Sequence, residues 1–277
     1  MSQTPFDASE RLAWAGRGEA YAAGFGRLCA HPVPALLVAA GVGAGVRVLD
    51  VGTGTGVAAA AAVACGARVS AVDAEPDMVR LAAGAVPAAD VRIGVLPHLP
   101  YPDGEFDAVV GNFVLNHVGR PRRALAELCR VTRPGGRIAL TVWASPAAAG
   151  QALLGRAVHA AGVSRPASLP ALTPDEDFPR TEDGLTGLLG AAGLVAAGCR
   201  TLSWNHRATP DEWWRGPAAG VATIGRTVNS RGPVVADRIR RRFELLAAEF
   251  ADASGVLVLP HRALLASGRV PVRPHSP

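Results

Sequence analysis

The sequence contains no lysine. All 28 of its basic side chains are arginines. With abundant Ala, Gly and Pro, this reads as the codon usage of a GC-rich bacterial genome, and it weakens the functional meaning of any single arginine. Charged residues are scarce too, at 18% against 49% hydrophobic, which excludes a disordered chain and implies a packed core. The four cysteines, Cys29, Cys65, Cys129 and Cys199, lie too far apart for a CxxC site, and none stands at zinc spacing from a histidine. A metal site is therefore not expected, and the cysteines read as small, reduced, buried side chains. The longest apolar stretches, Pro34–Val46 and Val57–Ala67, fall short of the roughly 18 residues a membrane span needs. The start, MSQTPFDASE, has neither the basic nor the apolar region of a signal peptide. The expectation is a cytoplasmic protein with no membrane partner. The formal charge of +5 raises nucleic acid as a partner. However, the densest basic run, Asp237–Phe243, interleaves arginines with apolar residues and reads as the solvated face of a helix.

What is present is an alternation. Val46–Val51, Arg68–Ala74, Val91–Val95, Phe106–Asn112 and Arg137–Trp143 read as strands. Helical patterns at Gly56–Cys65, Glu75–Gly84 and Pro121–Thr132 separate most of them. Short Val-rich strands alternating with helices imply an α/β fold, a doubly wound and mostly parallel sheet. The rhythm breaks after Trp143. A helix at Glu182–Ala192, a strand near Val195–Trp204, a helical stretch over 210–250 and a last strand within His261–Arg269 follow. The reading divides the chain into an N-terminal helical cap (1–40), an α/β core (41–205) with an insert at 145–180, a helical cap insert (206–254), and a last strand and loose tail (255–277).

The strongest motif is Val48-Leu49-Asp50-Val51-Gly52-Thr53-Gly54-Thr55-Gly56, a strand running into a glycine turn and then a helix. Such a turn allows close approach of a ligand to the backbone. A dinucleotide site must be weighed, but its G-x-G-x-x-G/A pattern puts the third position at Val57, whose branched side chain is expected to crowd the helix–strand contact. Asp73, ending the second strand, is placed to accept the hydroxyls of a ribose. Asp103-Gly104-Glu105-Phe106-Asp107 feeds the fourth strand, and Arg133-Pro134-Gly135-Gly136 leads into the fifth.

With Leu99-Pro100-Tyr101-Pro102-Asp103, this ordered set resembles the class I S-adenosylmethionine (SAM)-dependent methyltransferases. The likeness is to the small-molecule group typified by the ubiquinone/menaquinone methyltransferases. It covers residues 40–145 closely and the rest loosely. It implies a seven-stranded sheet with its last strand antiparallel, and SAM as cofactor with S-adenosylhomocysteine as product. Carried over residue by residue, Gly52, Thr53 and Gly54 line the methionine part of SAM, and Asp50 positions its amino group. Asp73 binds the ribose, Ala74, Met78 and Leu96 pack by the adenine, and the Asn112 carbonyl lies near the methionine amino group. One departure stands out: relatives commonly read G-D-A where this chain has Gly94-Val95-Leu96, so the adenine-binding acid is absent.

Family membership leaves the acceptor open. His117 is the base candidate, against a structural role in its loop. Tyr21 either touches the sulfonium or staples its helix. Asn116, Trp143, Trp204 and Trp213 are the candidate acceptor pocket, and aromatic walls suit a flat ligand. The expected function is methyl transfer to a small, largely apolar and aromatic acceptor at O, N or C, in secondary metabolism. The alternative is a SAM-fold protein repurposed as a non-methylating cyclase.

Overall fold

The computed structural model describes residues 4–272, so part of the tail expected to be loose lies outside the described residues. Four short helices open it: α1 (Pro5–Trp14), α2 (Gly18–Ala22), α3 (Phe25–Cys29) and α4 (Val33–Ala40). The core follows as β1 (Arg47–Val51), α5 (Val57–Ala64), β2 (Arg68–Asp73), α6 (Pro76–Ala85), β3 (Asp90–Ile93), β4 (Phe106–Asn112), α7 (Pro121–Val131) and β5 (Thr132–Trp143). Beyond it come α8 (Ala149–Ala160), α9 (Glu182–Ala191) and β6 (Val195–Ala208). Then α10 (Pro210–Ala218), α11 (Ala222–Asn229) and α12 (Pro233–Ala247) lead to β7 (Leu257–Arg269).

The strands form one seven-stranded sheet in the order β3-β2-β1-β4-β5-β7-β6. All neighbours are parallel except β7, which runs antiparallel between β5 and β6. Residues 48–51 of β1 are all buried, as are most of β4 and β5, because helices cover both faces. One face packs under α7 and α9 through Leu125, Leu128, Leu185 and Leu189. The other packs under α4 and α5 through Leu36, Val48 and Ala62. The strand order reverses between β1 and β4, and a crevice outside the carboxyl ends of strands at such a point is where open α/β sheets bind ligands.

The last two strands run further than their sequence suggests. Asn205, His206, Arg207 and Ala208 pair with Pro260, Leu259, Val258 and Leu257. The hairpin therefore continues past Trp204 on one side and begins before His261 on the other. It rises beyond the sheet because its inner face has something to bury against. Leu257 and Leu259 join Phe243, Ile239, Leu153 and Trp214 in a cap core with α8, α10 and α12. Among the described residues, no helix is long and apolar enough to cross a membrane.

Candidate active site

The crevice at the switch point is roofed by the N-terminal helices and by α8, α10 and α11, enclosing a cavity of about 580 Å³. Its floor is the glycine turn. Gly52 and Gly54 hold φ of +68° and +55°, a left-handed geometry that Gly adopts without the steric cost other residues meet. At the end of β2, Asp73 accepts hydrogen bonds from the backbone N–H groups of Gly54 (2.8 Å) and Glu75 (3.0 Å), and burial raises its pKa. Ala74, Met78 and Leu96 line the same end of the cavity.

Asp50 is set back from this space. With Thr53 it lines a smaller cavity of about 20 Å³, which shares Tyr21, Cys29, Gly52 and Asn112 with the larger one. Such a volume takes one water-sized group. Asp50 Oδ2 accepts from the Thr53 hydroxyl at 2.7 Å, whereas its buried Oδ1 has no hydrogen-bond partner among the described residues. Burial pushes its pKa up to about 6.

The Asn112 side chain is fully engaged: Nδ2 donates to the Cys29 carbonyl at 2.7 Å and Oδ1 accepts from the Thr141 hydroxyl at 2.7 Å. It pins the N-terminal cap to the sheet beside the turn. Phe113 follows with φ +63°, a conformation costly for a bulky residue. Its N–H is held by the Thr141 hydroxyl at 2.9 Å, and its ring stacks on Trp143 at 4.1 Å. Both rings face the cavity.

The wall formed by α1 carries a pairing the sequence does not announce. Glu10 Oε2 lies 2.7 Å from His117 Nδ1, and Trp14 meets the imidazole edge-on at 5.1 Å. Asp7 accepts from Gly119 N–H at 2.7 Å, so α1 is tied across the loop after β4. Burial raises the pKa of both Tyr21 and Cys29, that of Cys29 to about 12. Tyr21 therefore stays a neutral phenol and Cys29 a neutral thiol.

The candidate residues do not all converge. Asp73, Ala74, Met78, Leu96, Asn112, His117, Tyr21, Trp143 and Trp213 share the main cavity with Gly52 and Gly54. Asn116 does not line it; its buried amide Nδ2 lacks a partner among the described residues. Trp204 stands behind the wall, 6.0 Å from Trp143 and stacked with His261 and His31, because it lies on β6 with β7 and β5 between it and the crevice. Val57 does not stand in the helix–strand contact it was expected to crowd. The residue is 39% exposed. The close helix approach is at Gly56 instead, where a Cβ would meet Ala82 and Val86 at 3.1–3.3 Å. Glu10, Gln151 and His261 line the cavity unforeseen. Only His261 left a trace, as a histidine on the inward-facing alternation of an apolar strand.

Residues 49–140 match the family described as methyltransferase domain. This stretch is a class I SAM-dependent methyltransferase domain. A demethylmenaquinone methyltransferase of Renibacterium salmoninarum is 39% identical over 81 residues, covering 29% of this chain and 34% of that protein. The chain thus spans about a third of the length of such relatives. Two solved structures share the fold of this chain. YcgJ of Bacillus subtilis has a TM-score of 0.55 at 21% identity, covering 87% of this chain and 98% of its own. The [4+2]-cyclase SpnF has a TM-score of 0.50 at 22% identity, covering 88% and 81%.

The cofactor of the methyltransferase domain is SAM, and the site suits it. The unpartnered Asp50 Oδ1 offers a buried acceptor for an ammonium group, which would lower the cost of its burial. Asp73 offers carboxylate lone pairs beyond the two backbone bonds it receives. Met78 and Leu96 supply an apolar wall for a flat base.

Proposed function

We propose that the protein transfers the SAM methyl group to a small, flat, largely apolar acceptor in secondary metabolism, with no nucleic-acid or membrane partner, in the cytoplasm. One observation carries this reading. A single cavity is lined at one end by Gly52, Gly54 and Asp73 and elsewhere by Phe25, Phe113, Trp143 and Trp213. Cofactor and acceptor would therefore share one cavity.

When bound, SAM supplies a methyl group on a sulfonium, already activated for displacement. The protein's part is to orient the partners and exclude water. Asp50, Thr53, the Gly52–Gly54 backbone and the Asn112 carbonyl hold the methionine end, Asp73 the ribose, and Ala74, Met78 and Leu96 the base. Tyr21 and Trp14 close the roof; they stand 5.4 Å apart, edge to face. Phe113 and Trp143 form a stacked platform for the acceptor. Where the acceptor atom keeps its proton, His117 takes it at Nε2, since Glu10 holds Nδ1–H.

Calorimetry with S-adenosylhomocysteine and with NAD tests the cofactor half, and the first alone is expected to bind. A tritiated-SAM assay against a panel of aromatic metabolites tests the other half. Binding of NAD without S-adenosylhomocysteine would overturn the reading. The competing assignment, a non-methylating cyclase, is favoured by Val95 in place of the acid. It would be supported by cofactor binding with no label transferred to any acceptor.

A further inference from the structure

His261 is 2% exposed, yet it lines the cavity. Its place is set by strand pairing: it sits opposite Trp204 across β6–β7, two residues before Ala263, which faces Trp143. Its Nδ1 lies 2.8 Å from the carbonyl oxygen of Leu259. A carbonyl can only accept, so Nδ1 carries the proton. The neutral ring therefore bears its lone pair at Nε2, where no hydrogen bond is made among the described residues. The ring's neighbours are Trp213 at 5.4 Å, Trp143 and Trp204 at 6.1 Å and His206 at 6.3 Å. Burial is the main cause that lowers the pKa of His261 to about 4, so it is uncharged at neutral pH.

A second unsatisfied group lies in the same wall. Gln151 lines the cavity from α8, and its buried Oε1 has no partner among the described residues. This helix presses directly on the strand that carries His261: a Cβ on Gly150 would meet Leu259 and Pro260 at 2.7 Å. An aromatic wall thus holds two acceptors without donors among the described residues, and the buried Gln151 Oε1 is costly to leave so unless a ligand completes it. The arginines lining the cavity, Arg11 and Arg120, come from α1 and the residue preceding α7, not from this wall.

We infer that His261 and Gln151 form a recognition subsite for a hydroxyl on a neutral aromatic acceptor, with the hydroxyl donating to His261 Nε2 or Gln151 Oε1. An anion would meet lone pairs with no cation beside them, and an aromatic without a donor would leave both acceptors unpaired. This inference rests on the methyl-transfer reading and specifies its acceptor.

The probes are 2-naphthol, 2-methylnaphthalene and 2-naphthoate. Each is titrated at neutral pH into the full protein saturated with S-adenosylhomocysteine, and binding is read by quenching of tryptophan fluorescence. The expected result is that 2-naphthol binds about tenfold more tightly than 2-methylnaphthalene, and that 2-naphthoate binds most weakly. His261→Phe should bring the first two within about twofold, and Gln151→Leu should shrink the gap. Equal wild-type binding of 2-naphthol and 2-methylnaphthalene, tightest binding of the anion, no binding of any probe, or an undiminished preference in His261→Phe would each overturn the inference. If His261→Phe does not fold, the wild-type series and Gln151→Leu still decide. Calorimetry with S-adenosylhomocysteine on the same preparation separates the two failures. No cofactor binding defeats the methyl-transfer reading, whereas normal cofactor binding with no preference for the hydroxyl defeats only the subsite.

Discussion

Glu10 Oε2 and His117 Nδ1 lie 2.7 Å apart although 107 residues of chain separate them. The carboxylate comes from the N-terminal cap and the imidazole from the loop after β4. The contact therefore both closes the cavity and fixes which imidazole nitrogen is free. An orienting partner of this kind holds a base in one tautomer.

For an acceptor that must lose a proton, Glu10→Gln should lower kcat about tenfold or more and leave KM nearly unchanged, and His117→Ala should cost on the order of a hundredfold. Steady-state turnover with any accepted phenol checks this. If both variants keep wild-type kcat and lose only melting temperature, the pair ties α1 to the loop and does nothing in catalysis.

Asp73→Ala should weaken binding of S-adenosylhomocysteine by about 1–2 kcal/mol or more, since charge-assisted bonds to the ribose are lost. Calorimetry on a variant with native circular dichroism measures it. An unchanged Kd in that variant would remove Asp73 from the cofactor site.

Asp50 makes an opposed pair of demands. Its folded pKa of about 6 stands above the ordinary aspartate value of 3.8. The native state thus keeps a proton that the unfolded chain has released, and stability falls as pH rises between these values. Above pH 6 the ligand-free protein carries a buried carboxylate with one oxygen unpaired. Asp50→Asn should raise its stability there, by on the order of 1–3 kcal/mol, have little effect near pH 4, and weaken cofactor binding. Denaturant melts at pH 4.5 and pH 8 test the first half. A variant less stable than wild type at pH 8 would contradict it.

His206 and His261 shift the other way, each lowered to about 4 chiefly by burial. On unfolding both regain an ordinary pKa near 6.5. Their contribution is complete above that value and is lost as pH falls toward 4, because the unfolded chain binds two protons the native state refuses. Two histidines outweigh the single opposing Asp50, so stability should decline from pH 7 to pH 5, and His261→Phe should flatten the decline. Equal stability at the two pH values would show that these rings are not buried neutral in solution.

How much of this was legible in the sequence depended on the distance over which each signal acts. The Asp50–Gly56 turn, the acid ending β2 and the β4 bounds are local, set by strand, turn and helix chemistry within a few residues. The same holds for the absence of lysine and of a CxxC pair. Those features were enough to identify the α/β domain and its cofactor end. Val57 faces away from the expected contact, and a pattern of positions does not say which way a helix residue points. Trp204 and Asn116 were assigned to the pocket for a similar reason: residue type shows what a side chain can do, not which wall it stands behind.

The tertiary structure decided the acceptor end. Glu10 reaches His117 only because α1 folds back over the switch point. His261 meets Trp143 and Trp213 only because β7 inserts antiparallel between β5 and β6 and runs on beyond the sheet. Composition and spacing specify the nucleotide end because a backbone turn binds there, and turns are written in consecutive residues. The other end is made of side chains gathered from α1, β4, β5, α8, α10 and β7. Their meeting is a consequence of packing, which no short stretch of sequence contains.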